Sequence, residues 1–432
     1  MEINVYKYPT DVEPLLTRSR DSKEIEEIAR NVEQIIADVA ANKDEAVFRY
    51  ERRFDCPSLQ SLRVEEAEFD EADAAVDPRL KAAMAAAAAN IRKFHAAQLM
   101  TPIEVETTPG VVCMQKAVPL DTVGLYVPGG RAPLFSTVLM LAIPARLAGC
   151  RRIVMCTPPD RDGKVSAAIL TAARMVGVTE VFKAGGAQAI AAMAYGTESI
   201  PRVGKIFGPG NAYVMEAKKR VAEGGVQIDM PAGPSEVMIV ADGSANPEFV
   251  AADFLSQAEH GPDSQSMLVT TSEALASAVA AKAVEMASQL PRRDLIWQSL
   301  SKSRIIVART DDEMMDIANR YAPEHLIINH SDADRLADKV RNAGSVFLGQ
   351  YACESAGDYA SGTNHTLPTS GFAETYSGVN IDSFQKKITF QRISRQGINT
   401  LGPVIATLAD GEGLQAHKLA ATIRMDNNEK QI

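Results

Sequence analysis

The chain has 432 residues, of which 46% are hydrophobic and 23% are charged, and its 55 acidic and 45 basic residues give a net charge of −10. This length predicts roughly two to four domains, and the composition excludes a disordered or fibrous chain. The acidic balance argues against nucleic-acid binding, which needs clustered cationic side chains.

The first residues and the cysteines predict a cellular location. Residues 1–6 show no basic region followed by an apolar run, so we expect no signal peptide. The longest apolar stretch, around 138–149, is interrupted by Pro144 and Arg146 and is too short to span a bilayer. The five cysteines include no Cys-x-x-Cys pair. We therefore expect a cytoplasmic protein without membrane association.

Residues 1–120 are predicted to form a mainly helical segment. Apolar side chains recur at helical spacing over 22–54. Asp77 and Pro78 combine an N-cap acid with a proline at the first helical position. An alanine-rich helix follows to about Ala97.

Two blocks of alternating strands and helices follow, at 121–235 and 236–350. The predicted strands of the first block are 123–127, 152–156, 180–183 and 205–207, and its helices are 136–148, 167–176, 188–195 and 213–223. The predicted strands of the second are 237–241, 267–270, 304–307, 326–328 and 345–348, and its helices are 247–257, 272–290, 310–321 and 332–342. This alternation predicts an α/β fold with parallel, helix-covered sheets. The first two strands of each block start about one βα unit apart, which fits two related halves but is also common to many α/β folds.

The remaining residues, 351–432, are predicted to form an appended arm. They begin with a stretch that is rich in glycine, serine and threonine. A short helix is predicted near 414–423.

Two glycine-containing turns each follow a predicted strand and precede a predicted helix. They are Val-Pro-Gly-Gly at 127–130 and Gly-Pro-Gly-Asn-Ala-Tyr at 208–213. Such turns can present backbone N–H groups to a phosphate at the carboxyl ends of strands. They can equally be tight turns that need glycine dihedral angles. Tyr213 stands where a dinucleotide fingerprint has its third glycine, so ordinary Rossmann binding is not supported.

A set of histidine, amide and carboxylate side chains is compatible with a metal site. Gln257 and His260 have the spacing of one helix face, and Asp358 lies in a predicted loop of small residues. His417 lies in the arm near Glu412. Such ligands suit zinc. The alternative for His260 is a histidine that interacts with the helix dipole.

Glu324 and His325 are the candidates for acid–base chemistry. They directly precede a predicted apolar strand. A histidine with a pKa near neutrality can take the proton of an alcohol, and a carboxylate can activate water. The alternative is a solvated pair at a strand edge. His365, in a polar loop after Asp358, is a candidate to line the same site.

Together these motifs resemble those of the L-histidinol dehydrogenase family. The matching stretches are 123–130, 132–139, 207–211, 229–236, 255–263, 321–325, 354–362 and 416–418. The likeness covers roughly residues 20–425. It implies the four-electron oxidation of L-histidinol to L-histidine through a bound aldehyde, with two NAD reduced, in the last steps of histidine biosynthesis. It also implies two incomplete Rossmann-like domains in an intertwined homodimer.

The resemblance further implies individual residue roles. The zinc ligands would be Gln257, His260, Asp358 and, from the partner subunit, His417. His325 would be the acid–base group of both hydride steps, and Glu324 would activate the water that attacks the aldehyde. The substrate contacts would be Ser235, Gln257, His260, His325, Asp358, His365, Glu412 and His417. The NAD contacts would be Tyr126, Gln188 and Asn211, in a binding mode unlike the usual Rossmann one.

Three other functions share parts of this pattern. A dehydrogenase of other primary alcohols, such as sulfonated diols, would need cationic groups, whereas Glu412 beside His417 suits a cationic substrate. A zinc hydrolase would use the same metal, glutamate, histidine and water without NAD. A non-catalytic binding protein would tolerate the loss of His325 or Glu324.

Overall fold

The computed structural model describes residues 3–18, 22–129 and 133–425. Gly130, the last residue of the predicted 127–130 turn, lies outside the described residues. The helices are α1 (Glu13–Leu16), α2 (Ser22–Phe54), α3 (Glu66–Ala75), α4 (Pro78–Ala96), α5 (Phe135–Ala148), α6 (Ala167–Met175), α7 (Gly186–Tyr195), α8 (Ala212–Glu223), α9 (Pro247–Ala258), α10 (Glu273–Ala287), α11 (Arg293–Leu300), α12 (Asp311–Tyr321), α13 (Ala333–Ala337), α14 (Glu354–Tyr359), α15 (Arg395–Gly411) and α16 (Gln415–Thr422).

Fourteen strands accompany these helices in the described residues. They are β1 (Asn4–Lys7), β2 (Ile103–Thr108), β3 (Val111–Pro119), β4 (Thr122–Tyr126), β5 (Arg152–Thr157), β6 (Glu180–Lys183), β7 (Lys205–Phe207), β8 (Gln227–Ile228), β9 (Glu236–Ala241), β10 (Gln265–Thr270), β11 (Arg304–Val307), β12 (His325–Asn329), β13 (Ser345–Leu348) and β14 (Gln385–Ile393). No helix among the described residues is long and apolar enough to cross a membrane.

Two parallel sheets form the centre of the fold and share one strand order. The first sheet has the order β6-β5-β4-β7-β8, and the second has the order β1-β11-β10-β9-β12-β13. Counted along the chain within each half, both follow 3-2-1-4-5, with β1 added at the edge of the second sheet. The order reverses between β4 and β7 and again between β9 and β12. This shared order agrees with the expectation of two related α/β halves.

Both sheets are buried on both faces, which explains why their strands are continuous apolar runs. In β5, Ile153 and Met155 pack in one hydrophobic cluster, while Val154 and Cys156 pack in the cluster on the opposite face. Alternate residues of β9 likewise belong to two separate clusters. This period of two within fully apolar strands places helices on both sides of each sheet.

Local signals in the sequence position several helix ends. The Asp77 side chain accepts a hydrogen bond from the Arg79 backbone N–H at the start of α4, as the N-cap prediction required. The helix predicted over 22–54 is present as α2, but Lys43 has φ 50° and ψ −130°, which interrupts it. The helix predicted over 332–342 is wrong in length, because α13 covers only Ala333–Ala337.

A third, antiparallel sheet was not predicted. Its order is β14-β3-β2, so the tail returns to pair with residues that precede the first parallel sheet. The tail also contains the long helix α15, where only a short helix near α16 was expected. Gly397 and Gly402 lower its helix propensity. A Cβ at these positions would collide with the Gly110 backbone and the Met425 side chain, so the glycines allow close packing.

Candidate active site

The candidate residues lie at the carboxyl ends of strands in the first sheet and at the amino end of a strand in the second. His325 is the first residue of β12, at the amino end of a strand of the second sheet. Tyr126 is the last residue of β4, and Thr137 lies in the first turn of α5, both at the carboxyl edge of the first sheet. Thr137 Oγ1 lies 3.2 Å from His365 Nε2. The second half therefore departs from the rule that open α/β sheets bind ligands at the carboxyl ends of their strands.

Polar groups from four other residues surround the His325 imidazole. It is only 3% exposed. Its Nδ1 atom lies 2.9 Å from Gln257 Nε2, 3.3 Å from the Glu236 carbonyl oxygen and 3.8 Å from Glu324 Oε2. Its Nε2 atom lies 3.3 Å from Asp358 Oδ1. The alternative reading, a solvated pair at a strand edge, is therefore wrong, because His325 and Glu324 are both buried.

Negative charge is concentrated around this imidazole. Burial lowers the pKa of His325, but the carboxylates of Glu324, Asp358 and Glu354 outweigh it and raise that pKa to about 10. Burial raises the pKa of the Glu324 carboxyl to about 8, and it also raises the pKa of Glu354. Three carboxyl groups, the buried Glu324 and Glu354 and the half-buried Asp358, thus act on one imidazole. A further cation would compensate this excess of negative charge.

The Gln257 side-chain amide lies between the Glu354 carboxyl group and the His325 imidazole. Its Nε2 atom donates to Glu354 Oε1 at 2.5 Å and faces His325 Nδ1 at 2.9 Å. Its Oε1 atom is buried and has no hydrogen-bond partner among the described residues. Buried polar atoms are normally satisfied, so this oxygen indicates a missing partner with positive or hydrogen-bond-donating character.

Three side chains of the metal-binding type lie close together, one just after the end of α9 and two in α14. One ligand atom each from His260, Glu354 and Asp358 lies within 4.8 Å of the others. Asp358 was expected in a loop, but it lies in α14, where Glu354 precedes it by four residues and therefore shares its face. Imidazole nitrogen together with carboxylate and amide oxygen suits zinc, so the residues present fit such an ion.

His365 connects this cluster to the first half of the chain. Its Nδ1 atom lies 2.8 Å from the Asp358 carbonyl oxygen, which only accepts hydrogen bonds, so Nδ1 is the protonated nitrogen. In the neutral tautomer its Nε2 atom is an acceptor for the Thr137 hydroxyl. Burial lowers the pKa of His365, which favours this neutral form.

Two of the predicted NAD contacts lie together at the carboxyl edge of the first sheet. The Tyr126 hydroxyl accepts the Gly186 backbone N–H at 3.1 Å. Gln188 lies in the first turn of α7, and its Nε2 atom donates to Glu51 Oε1 at 2.8 Å. The same Glu51 oxygen accepts the Gly185 backbone N–H at 2.8 Å. A carboxylate of the chain itself therefore occupies the amino terminus of α7.

The glycine turn at 208–213 is also bonded internally. Gly208 donates its backbone N–H to Asp229 Oδ2 at 2.8 Å, and the other oxygen of Asp229 accepts from the buried Lys218 ammonium group. Gly208 has φ +124°, and a Cβ there would collide with the Tyr126 carbonyl oxygen. Of the two alternatives for this motif, phosphate binding or a tight turn, the tight turn therefore explains why residue 208 is glycine.

The other predicted residues occupy less enclosed positions. Ser235 is half-buried directly before β9, and Asn211 caps α8 by accepting the Val214 backbone N–H. Glu412 and His417, at the end of α15 and in α16, are exposed. Within the described part of this chain, the cluster of metal-type ligands does not include His417.

Sequence reasoning missed three buried residues that hold predicted ones in place. They are Glu51 beside Gln188, Thr137 beside His365, and Glu354 beside Gln257. For Glu354 a signal existed, since it stands four residues before Asp358 in the same quoted motif. The other two are distant in sequence from the residues they contact; Thr137 lies within the matching stretch 132–139 but no role was inferred for it, and nothing local marks Glu51.

Comparison with known proteins gives one consistent family. The family model for histidinol dehydrogenase matches residues 18–425. The chain is 55% identical over 428 residues to histidinol dehydrogenase from Bacteroides fragilis, covering 99% of this chain and all of that one. It is 53% identical over 424 residues to that of Bacteroides thetaiotaomicron, covering 98% and 99%. It is similar to the crystal structure of histidinol dehydrogenase from Elizabethkingia anophelis, with TM-score 0.93, 48% identity and 98% coverage of both chains.

Proposed function

The chain belongs to the histidinol dehydrogenase family, NAD-dependent oxidoreductases of histidine biosynthesis, and on this premise we propose that its site oxidises L-histidinol to L-histidine through a bound aldehyde, with two NAD reduced per turnover. The observation that carries the proposal is the buried convergence of His325 with Glu324, Gln257 and Asp358. Family membership removes the support for a hydrolase or a non-catalytic binding protein.

We propose that Gln257, His260 and Asp358, together with His417 of the partner subunit, hold one zinc ion per subunit. The unpartnered, buried Gln257 Oε1 atom and the excess of carboxylates around His325 support a cation there. When bound, zinc supplies a Lewis acid that binds the imidazole and amino nitrogens of histidinol.

His325 is proposed to hold and move the proton of the substrate. Its Nδ1 atom faces protein groups, the Gln257 amide and the Glu236 carbonyl. Its Nε2 atom faces Asp358, one of the proposed metal ligands, and is therefore the atom on the substrate side. We assign to Nε2 the proton taken from the alcohol as hydride leaves to NAD, and again from the aldehyde hydrate in the second oxidation. This role requires the neutral imidazole with its hydrogen on Nδ1, toward the Glu236 carbonyl oxygen, and a cation held beside Asp358 would favour that form by lowering the pKa of His325.

Glu324 is proposed as the base that activates water for attack on the aldehyde. One of its carboxylate oxygens accepts the Glu236 backbone N–H at 2.9 Å, which holds the group in place. Burial raises its pKa to about 8, so it is a stronger base than an exposed carboxylate. The hydrate it produces can lose a second hydride, and no cysteine adduct is required.

The remaining substrate contacts are proposed to come from both subunits. Ser235 and His365 would contact histidinol from one subunit, and Glu412 of the partner subunit would attract its amino group. The exposed apolar side chains of α15, of α16 and of the residue that follows α16 support a homodimer with a shared site. Those that are at least half exposed are Val404, Leu408, Leu419 and Ile423. A biosynthetic role and five free cysteines fit a reducing cytoplasm.

NAD is proposed to contact Tyr126, Gln188 and Asn211. The backbone amides that a pyrophosphate would use at two nearby turns are bonded to Glu51 and Asp229. This supports a cofactor position unlike the usual Rossmann one. We retain 121–235 and 236–350 as two incomplete Rossmann-like domains, because each contains five strands in the order 3-2-1-4-5. The segments 1–120 and 351–432 then flank them.

The decisive test is NADH formation from L-histidinol, counted per histidinol consumed, with and without a chelator. Two NADH per histidinol, lost on chelation and regained with zinc, would support the reaction, the metal and the four-electron chemistry together. Absence of NADH from folded, zinc-loaded protein would refute the proposal, and a screen of other primary alcohols would follow.

A further inference from the structure

We infer that Glu354 is a positioning residue that orients the Gln257 amide so that its oxygen, and not its nitrogen, faces the proposed metal. This inference rests on the proposed zinc site and assigns a role that no sequence motif gave. It starts from the pair of atoms at 2.5 Å, Gln257 Nε2 and Glu354 Oε1.

The orientation of this amide follows from what its neighbours can donate and accept. The Nε2 group donates a hydrogen to Glu354 Oε1 at 2.5 Å. His325 Nδ1, at 2.9 Å, carries its own hydrogen toward the Glu236 carbonyl oxygen when Nε2 of that ring takes the substrate proton, so Glu354 is the acceptor that fixes the amide. Turning the amide over would place its oxygen against the Glu354 oxygen. It would also leave the nitrogen at the position where Oε1 now has no partner. Metal ions bind the amide oxygen, so only the observed orientation presents a ligand.

Glu354 is itself held firmly enough to impose that orientation. It is 1% exposed. Its second oxygen lies 3.0 Å from Ser256 Oγ, and that hydroxyl also lies 2.7 Å from the Asp253 carbonyl oxygen. Because a hydroxyl both donates and accepts, this arrangement is satisfied whether the Glu354 carboxyl is ionised or protonated. In either state Oε1 remains the acceptor for Gln257.

The outer partners of metal ligands commonly change metal affinity by 10- to 100-fold when they are removed. We therefore expect Glu354→Met to weaken zinc binding by about 10- to 100-fold, because it removes the acceptor and leaves the amide free to turn. Glu354→Gln is the conservative variant. Its own amide oxygen can still accept from Gln257 while its nitrogen donates to Ser256, so its affinity should stay within about threefold of the unchanged protein.

The test measures zinc affinity of the purified full chain by competition with a chromogenic chelator. Each variant is made alone and in a Gln257→Met background. A positioning residue acts through Gln257, so Glu354→Met should cause no further loss once Gln257 is replaced. Glu248→Gln, at an exposed glutamate in the first turn of α9, is the matched control and should leave the affinity unchanged.

Two results would overturn the inference. One is an equal loss from Glu354→Met in both backgrounds, which would make Glu354 a direct ligand. The other is no loss in the unmodified background. If Glu354→Met does not fold, Ser256→Ala replaces it in the same cycle, with a smaller loss that must also vanish in the Gln257→Met background. Failure of the unmodified chain to bind zinc would instead refute the proposed zinc site, so this failure can be told apart from a failure of the role assigned to Glu354.

Discussion

The buried ion pair of Lys218 and Asp229, next to the 208–213 turn, provides the sharpest test of what stabilises the proposed NAD-binding end of the first sheet. The Asp229 and Lys218 side chains are each 1% exposed. Asp229 accepts the backbone N–H groups of Gly208 and Met230 at 2.8 Å each and also the Lys218 ammonium group. Asp229→Asn keeps the shape but removes the charge, and it turns an NH2 group toward one of these donors.

The expected cost follows from the charge that is left behind. Removing one partner of a buried pair costs about 3–5 kcal/mol, because the other charge stays buried without compensation. With a urea dependence of about 2 kcal/mol per M, the unfolding midpoint should fall by about 1.5–2.5 M. The turn leads into Asn211, so the KM for NAD should rise as well, while the zinc content should not change.

The assay is urea unfolding followed by circular dichroism, together with steady-state kinetics. Glu223→Gln, an exposed acid at the end of α8, is the control and should shift the midpoint by little. The double variant Lys218→Met with Asp229→Asn removes both charges while keeping one side-chain oxygen for the backbone N–H groups, and it should recover part of the stability. A midpoint for Asp229→Asn within about 0.3 M of the unchanged protein, or a double variant that is less stable than the single one, would refute the reasoning.

Three further predictions concern the chemistry, the shared site and pH. Glu324→Gln should slow aldehyde oxidation by about 10²- to 10⁴-fold and alcohol oxidation much less, and equal effects on the two steps would contradict its role with water. Removing the residues after Gly411 should leave folded α/β halves without activity. Mixing that chain with a His260→Ala chain should restore some activity, and failure despite demonstrated subunit exchange would argue against a shared site. Burial raises the pKa of Glu51, so folding is favoured while this carboxyl is protonated, and that contribution is lost as the pH rises above its ordinary value. The melting temperature of Glu51→Gln, relative to the unchanged protein, should therefore increase from about pH 5 to pH 9, and a constant difference would refute this.

The parallel strands could be predicted because their signal is local. Runs such as 237–241 are apolar throughout, and about one helix separates each run from the next along the sequence. The third sheet has no such signal, since β2 is exposed along nearly its whole length and β14 pairs with β3 across more than 250 residues. Its formation depends on contacts that only the folded chain brings together.

The site shows the same division between local and distant information. Motifs identified Gln257, His260 and Asp358, and the structure brings all three to the His325 cluster. The positions of the supporting groups, such as Glu51, depend on which helix packs against which sheet edge. The spacing of residues along the chain carries no record of that packing.

The pairing of β1 with β11 has a consequence for how the protein is made. Asn4 lies beside Arg304 in the second sheet, 300 residues later in the chain. At about 5–20 residues per second, the ribosome needs roughly 15–60 s to deliver that partner after β1 has been synthesised. The first sheet, between residues 122 and 228, can assemble during that interval. Among the described residues, β1 is the first strand to be synthesised, yet its partner strand follows only about 300 residues later, so its backbone N–H and C=O groups stay without that partner in the meantime.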